Sequence, residues 1–134
     1  MKYALDTNTV ILLLREDPHV SQRFNAAVEH GDEIVIPPLV HFEMRRGFLC
    51  KSAPKKEKMY SRLIEEYPIG EVSAESLERG AIIFADLYHS GRTVGDVDLL
   101  IAAFCMVGGH TLVTNNTGHF EVVEGLAIED WRIG

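Results

Sequence analysis

The sequence predicts an α/β fold, a three-layer α/β/α sandwich with a central, mainly parallel sheet. Strand-like apolar runs alternate with segments of helical period, and that order joins parallel strands through helical crossovers. Proline, glycine and capping residues punctuate the alternation where one period gives way to the next. With 134 residues, 46% hydrophobic and 25% charged, the composition is that of a globular domain. One domain, residues 1–134, is therefore expected, long enough to bury a core.

Tyr3 to Asp6 is expected as a short buried strand. Thr7, Asn8 and Thr9 then cap a buried first helix through Val10 to Leu14, which Pro18 stops. A second helix runs from about His19 to His30, with Val20, Phe24, Ala27 and Val28 inward and Gly31 as its terminus. Glu33 to Ile36 is the second strand, and Pro37-Pro38 opens a third helix. Pro54 ends that helix, and a lysine-rich one follows from Lys55 through Tyr67. Ile69 to Val72 is a weak strand, and Ser73 to Ser76 opens a long helix that reaches Ser90 and closes at Gly91. An apolar helix from Val97 to Val107 ends at Gly108-Gly109. Thr111 to Thr114 and Leu126 to Ile128 are the last two strands. Ligands of such a sheet bind beyond the carboxyl ends of its strands.

The formal charge of −7 is unevenly spread. Arg45, Arg46, Lys51, Lys55, Lys56, Lys58 and Arg62 are opposed within their stretch only by Glu57, which makes it +6 against −13 for the remainder. Charge alone favours a solvated helix face, although a concentrated basic stretch also holds polyanions locally. Cys50 and Cys105 each lie among apolar residues, which suits reduced core thiols. The longest apolar run, Val10 to Leu14, is far below the ~20 residues of a membrane span. The opening residues lack the apolar stretch of a secretory signal, so a cytoplasmic protein without membrane association is expected.

Acidic residues recur at the expected ligand edge. Asp6 ends the first strand, where by itself it reads as a helix cap. Glu43 shares a helix face with Leu39, Phe42 and Gly47, and is weighed equally as an i, i+3 partner of Arg46. Asp96 and Asp98 flank the start of the most apolar helix, one acid more than capping needs. Thr114, Asn115 and Asn116 end a strand at the same edge. Clustered carboxylates with little His or Cys support suit Mg²⁺ or Mn²⁺. The six histidines have no zinc spacing, and neither a GxxxxGK[ST] loop nor a GxSxG elbow occurs.

Leu5-Asp6-Thr7-Asn8, Phe42-Glu43-Met44-Arg45-Arg46-Gly47, Gly95-Asp96-Val97-Asp98 with the apolar run after it, and Leu112-Val113-Thr114-Asn115-Asn116 followed by Phe120 resemble the PIN domain. More narrowly, they resemble the VapC ribonuclease toxins of type II toxin–antitoxin systems. The resemblance extends over nearly the whole chain, to Gly125-Leu126 and Glu129-Asp130-Trp131. It implies a PIN-like sandwich acting as a Mg²⁺-dependent endoribonuclease, with Mn²⁺ able to substitute. It also implies a homodimer inhibited by a cognate VapB-like antitoxin, and an RNA substrate cut at accessible loops of tRNA or rRNA. Asp6, Glu43 and Asp98 match the family's acidic triad, with Asp6, Asp98 and Asp96 toward the metal and Thr7, Thr114 and Asn116 accessory. Asn116 stands where many members carry a fourth aspartate. Arg45, Arg46, Lys51, Lys55, Lys56 and Lys58 would then track the RNA backbone beside the site. For the antitoxin helix, Leu13, Leu14 and Phe48 are candidate groove residues, although core packing suits Leu13 and Leu14 equally.

Two alternatives are of other classes. Asp6-Thr7-Asn8-Thr9-Val10 resembles the nucleophile loop of haloacid-dehalogenase-like phosphatases, but Asn8 replaces their second aspartate. A catalytically silent PIN fold serving as a binding module is opposed by the intact acidic triad.

Overall fold

Four short strands in the order β2-β1-β3-β4, all parallel, form the sheet of the computed structural model, which describes residues 1–133. In chain order the elements are β1 Lys2–Leu5, α1 Thr7–Leu14, α2 Pro18–His30, β2 Glu33–Val35, α3 Pro38–Cys50 and α4 Pro54–Glu66. They continue as α5 Ala74–His89, α6 Asp96–Gly108, β3 Thr111–Val113, α7 Thr117–Phe120 and β4 Ile128–Glu129. The register sets Ala4 between Val35 and Leu112, and Leu5 beside Val113. Successive strand residues point to opposite faces, and Ala4, Leu5, Leu112 and Val113 are all fully buried. Helices therefore cover both faces, which is the expected sandwich. On the sheet, α6 packs against β3 and carries α5, while α1 contacts α2, α3 and α4.

Several boundaries differ from the sequence reading, for local reasons. Helix α1 stops at Leu14 rather than at Pro18, because Glu16 adopts φ +59°, in the left-handed region. Asp17 then caps α2 through the Val20 N–H, and Pro18 takes the first helical position. Pro54 likewise begins α4 instead of merely ending its predecessor. Gly31 and Gly109 close α2 and α6 in the left-handed conformation that glycine adopts without penalty. Val28, expected inward, is exposed on α2, and Cys50, expected in the core, is exposed at the end of α3. The strand expected at Ile69 to Val72 is reduced to a single bridge between Ile36 and Ile69. Strand β4 starts two residues later than expected and ends one later, and α7 has no counterpart in the sequence pattern. Among the described residues, no helix is long and apolar enough to cross a membrane.

Candidate active site at the carboxyl edge of the sheet

The first strand delivers Asp6 to the edge where β1 and β3 end side by side. Its backbone N–H donates to the Val113 carbonyl at 2.9 Å, continuing the ladder one residue past the strand. Its side chain, 5% exposed, accepts from the Thr7 N–H at 2.9 Å and so caps α1. The second carboxylate oxygen accepts from the Thr114 hydroxyl at 2.7 Å, and Thr114 is itself fully buried. The Asn116 N–H donates in turn to that hydroxyl at 3.0 Å. The capping reading of Asp6 is thus realised by one carboxylate oxygen, and the other is held by Thr114 at the carboxyl edge.

Thr7 extends the site to α3. Its hydroxyl donates to one Glu43 oxygen at 2.7 Å, while Arg46 reaches the other at 3.4 Å. The i, i+3 pair with Arg46 is present, and the shorter bond belongs to Thr7. In the first turn of α6, Asp98 meets the His119 ring nitrogen at 2.8 Å. His119 also contacts the Asn116 amide at 3.2 Å, so the residue in the family's fourth acidic position joins the site through an imidazole. No sequence signal marks His119, since a four-residue helix such as α7 is too short to show a period. Arg132 braces the same loop by donating to the Asn115 carbonyl at 3.1 Å.

Electrostatics link the three acids. Burial pushes the Asp6 carboxyl above its ordinary range, the Thr114 and Thr7 hydrogen bonds pull it back, and the charges of Asp98 and Glu43 raise it again. Asp96 is exposed at the start of α6, beside a recess shared with Gly80 and Phe84 of α5, and is not among the charges that raise Asp6. Among the described residues, no three His, Cys, Asp or Glu side chains gather closely enough to hold an ion unaided. Mg²⁺ keeps several waters and binds through one or two carboxylates, so this oxygen-only, mutually repelling set fits it where a zinc cage would not.

The basic stretch divides. Lys51 and Lys56 line a recess that begins at Thr7 and Glu43. Arg45 is paired with Glu57 at 2.7 Å, Arg46 lies over the Phe42 ring, and Lys55 and Lys58 are exposed on α4. Of the candidate groove residues, Leu14 is in the core, while its edge and Leu13 line a groove between α1, α2 and α4. Phe48 lies apart from Leu13, in the recess beside Glu43 that Leu14 also lines.

Comparison with known proteins agrees with this fold. The family described as PIN domain matches residues 3–126. A curated relative named tRNA(fMet)-specific endonuclease VapC, from Shigella flexneri, is 30% identical over 133 residues, 98% of each chain. One of the same name from Salmonella typhimurium is 29% identical over 133 residues, again 98% of each. Among solved structures, the DNA-bound VapBC of Salmonella typhimurium superposes with a TM-score of 0.87 at 29% identity, over 98% of both chains. VapBC2 of Rickettsia felis, bound to a promoter DNA fragment, gives 0.90 at 24% identity over 98% of this chain and 99% of that one, which speaks for the fold.

Proposed function

This chain belongs to the PIN-domain family, and from that membership we propose that it is a divalent-metal-dependent endoribonuclease, the toxin of a toxin–antitoxin pair. What supports the reading is the carboxyl edge itself, where Thr7 joins Asp6 to Glu43 and where burial, with smaller contributions from the charges of Asp98 and Glu43, raises the Asp6 carboxyl. Neither alternative class is favoured, since the relatives are named as nucleases and Asn8, the mismatched position of the phosphatase loop, is exposed.

Asp6 and Asp98 would hold Mg²⁺, or Mn²⁺ in its place, with Asp96 adding charge at the rim. The ion supplies charge neutralisation at the phosphate and a lowered pKa for attacking water. The protein positions everything else. Thr114 and the Thr7 N–H fix both oxygens of Asp6, so its carboxylate meets the substrate in one orientation. The Thr7 hydroxyl fixes Glu43 as the base that accepts a proton from water attacking phosphorus. His119 steadies Asp98 by donating its Nδ1–H, and the Asn116 side chain lies against that same nitrogen. Lys51, Lys55, Lys56 and Lys58, with Arg45 and Arg46 behind them, attract the RNA backbone.

The 134 residues form one nuclease domain acting in the cytoplasm on tRNA or rRNA loops. A VapB-like antitoxin would lay an amphipathic helix in the groove lined by Leu13, Phe24, Met59 and Leu63. Exposed Leu77, Phe84 and Tyr88 of α5 offer a face for a homodimer. Purified protein should cut cellular RNA with Mg²⁺, stop on EDTA and resume with Mn²⁺. RNA left intact under all three conditions overturns the nuclease reading. Co-expression with the product of the neighbouring small reading frame should yield a co-purifying, inactive complex.

A further inference from the structure

Beside the carboxylates lies a recess of about 330 Å³ between α1, α3 and the start of α4. Its inner wall is Thr7 and Glu43, so it opens directly from the candidate active site. The floor is apolar, formed by Ile11, Leu14, Met44 and the ring of Phe48. That ring is braced from behind: Tyr60 packs against it at 5.9 Å, His41 stacks on Tyr60 at 5.8 Å, and the tyrosine hydroxyl bonds His41 at 2.8 Å. Three cations, Arg15, Lys51 and Lys56, complete the lining, and Gly47 leaves its side open. Beyond its own helix backbone and chain neighbours, a Cβ at Gly47 meets no atom within 4 Å.

We propose that this recess is a nucleotide subsite, which takes the unstacked base of the residue next to the scissile phosphodiester while the cations hold its phosphate. The proposal rests on the nuclease reading and specifies its substrate as single-stranded at that nucleotide. Continuity carries it, because a phosphodiester cut beside Glu43 places its neighbouring nucleotide over the recess that Glu43 walls. Chemistry agrees: an aromatic and aliphatic floor with a cationic lining matches a π-face and a phosphate together. An apolar side chain of an antitoxin would use the floor and leave three cations unanswered, so RNA is the better match.

Gly47 supplies the test. Gly47→Leu grows a side chain into open space in a helix that tolerates it, and Gly47→Ala is the mild control. Binding of a short single-stranded oligoribonucleotide is compared with that of the same backbone made abasic, in an Asp98→Asn background that keeps the RNA whole. The base-bearing strand should bind about tenfold more tightly, and Gly47→Leu should erase that preference while abasic binding stays constant. Phe48→Leu should reduce it without filling the recess. Equal preference in the parent and in Gly47→Leu, with thermal unfolding unchanged, overturns the subsite. So does a Gly47→Leu chain that binds RNA normally yet no longer co-purifies with the antitoxin, since the recess then belongs to a peptide. Cleavage by the wild-type chain is scored separately: a protein that cuts nothing with Mg²⁺ or Mn²⁺ overturns the nuclease reading instead.

Discussion

Asp6 caps α1 with one oxygen and accepts from Thr114 with the other, and its substitution separates the helix cap from the proposed metal-binding role. Asparagine caps helices as well as aspartate does, so Asp6→Asn keeps the Thr7 bond while deleting one of three repelling charges. Cleavage should fall by about 100-fold or more, and so should that of Asp98→Asn, with Tm equal or higher. The pH dependence follows from the direction of the shift. A carboxyl raised in the folded state keeps its proton longer there than in the unfolded chain, so Asp6 lowers stability as pH rises from the ordinary carboxylate range through its raised value. Asp6→Asn should flatten that fall in urea melts run upward from the ordinary carboxylate range. Thr114→Val leaves the Asp6 oxygen and the Asn116 N–H without their shared hydroxyl. It should cost about 1–3 kcal/mol in stability and about 10–100-fold in cleavage. Asp6, Asp98 and Thr114 can be singled out in the sequence because each follows or opens a patterned element, and Glu43 because it is a carboxylate on a helix face shared with Leu39 and Phe42. His119 is not, because what makes it part of the site is a contact with Asp98 across the chain.

At the scale of elements, long periods are legible and short ones are not. Helices α2, α5 and α6 carry caps or terminal glycines and run for 13, 16 and 13 residues, so the sequence marks their positions clearly. Strand β4 has two residues and α7 four, lengths at which alternation and helical period cannot be told apart. Ile69 to Val72 fails as a strand because Gly70 follows the only bridged residue and the chain then leaves for α5. Ser73 caps α5 in a reciprocal bond with Ser76, with both N–H groups satisfied. Ser73→Ala should lower stability by about 1 kcal/mol in denaturant melts and leave cleavage unchanged, since α5 contributes no acid to the site.

The whole molecule is electrically lopsided, with net negative charge except along one basic margin beside the carboxylates. Replacing Lys55, Lys56 and Lys58 together by alanine should weaken RNA binding and flatten its dependence on salt, by about one unit of log–log slope for each phosphate no longer neutralised. Unchanged affinity at low salt would return these lysines to mere solvation. On the other side, Phe84→Glu on the exposed face of α5 should convert a dimer to a monomer in sedimentation, with Tm little changed. The pairing of β1 with β3 has a consequence for synthesis. Asp6 is bonded to Thr114, 108 residues further along the chain. A growing polypeptide therefore carries Asp6 long before the residue that orients it has been made. At about 5–20 residues per second, that delay lasts several seconds or more. A ribosome making this enzyme is spared its action until Thr114 has been added, and fragments that end before Thr111 should be harmless when expressed alone.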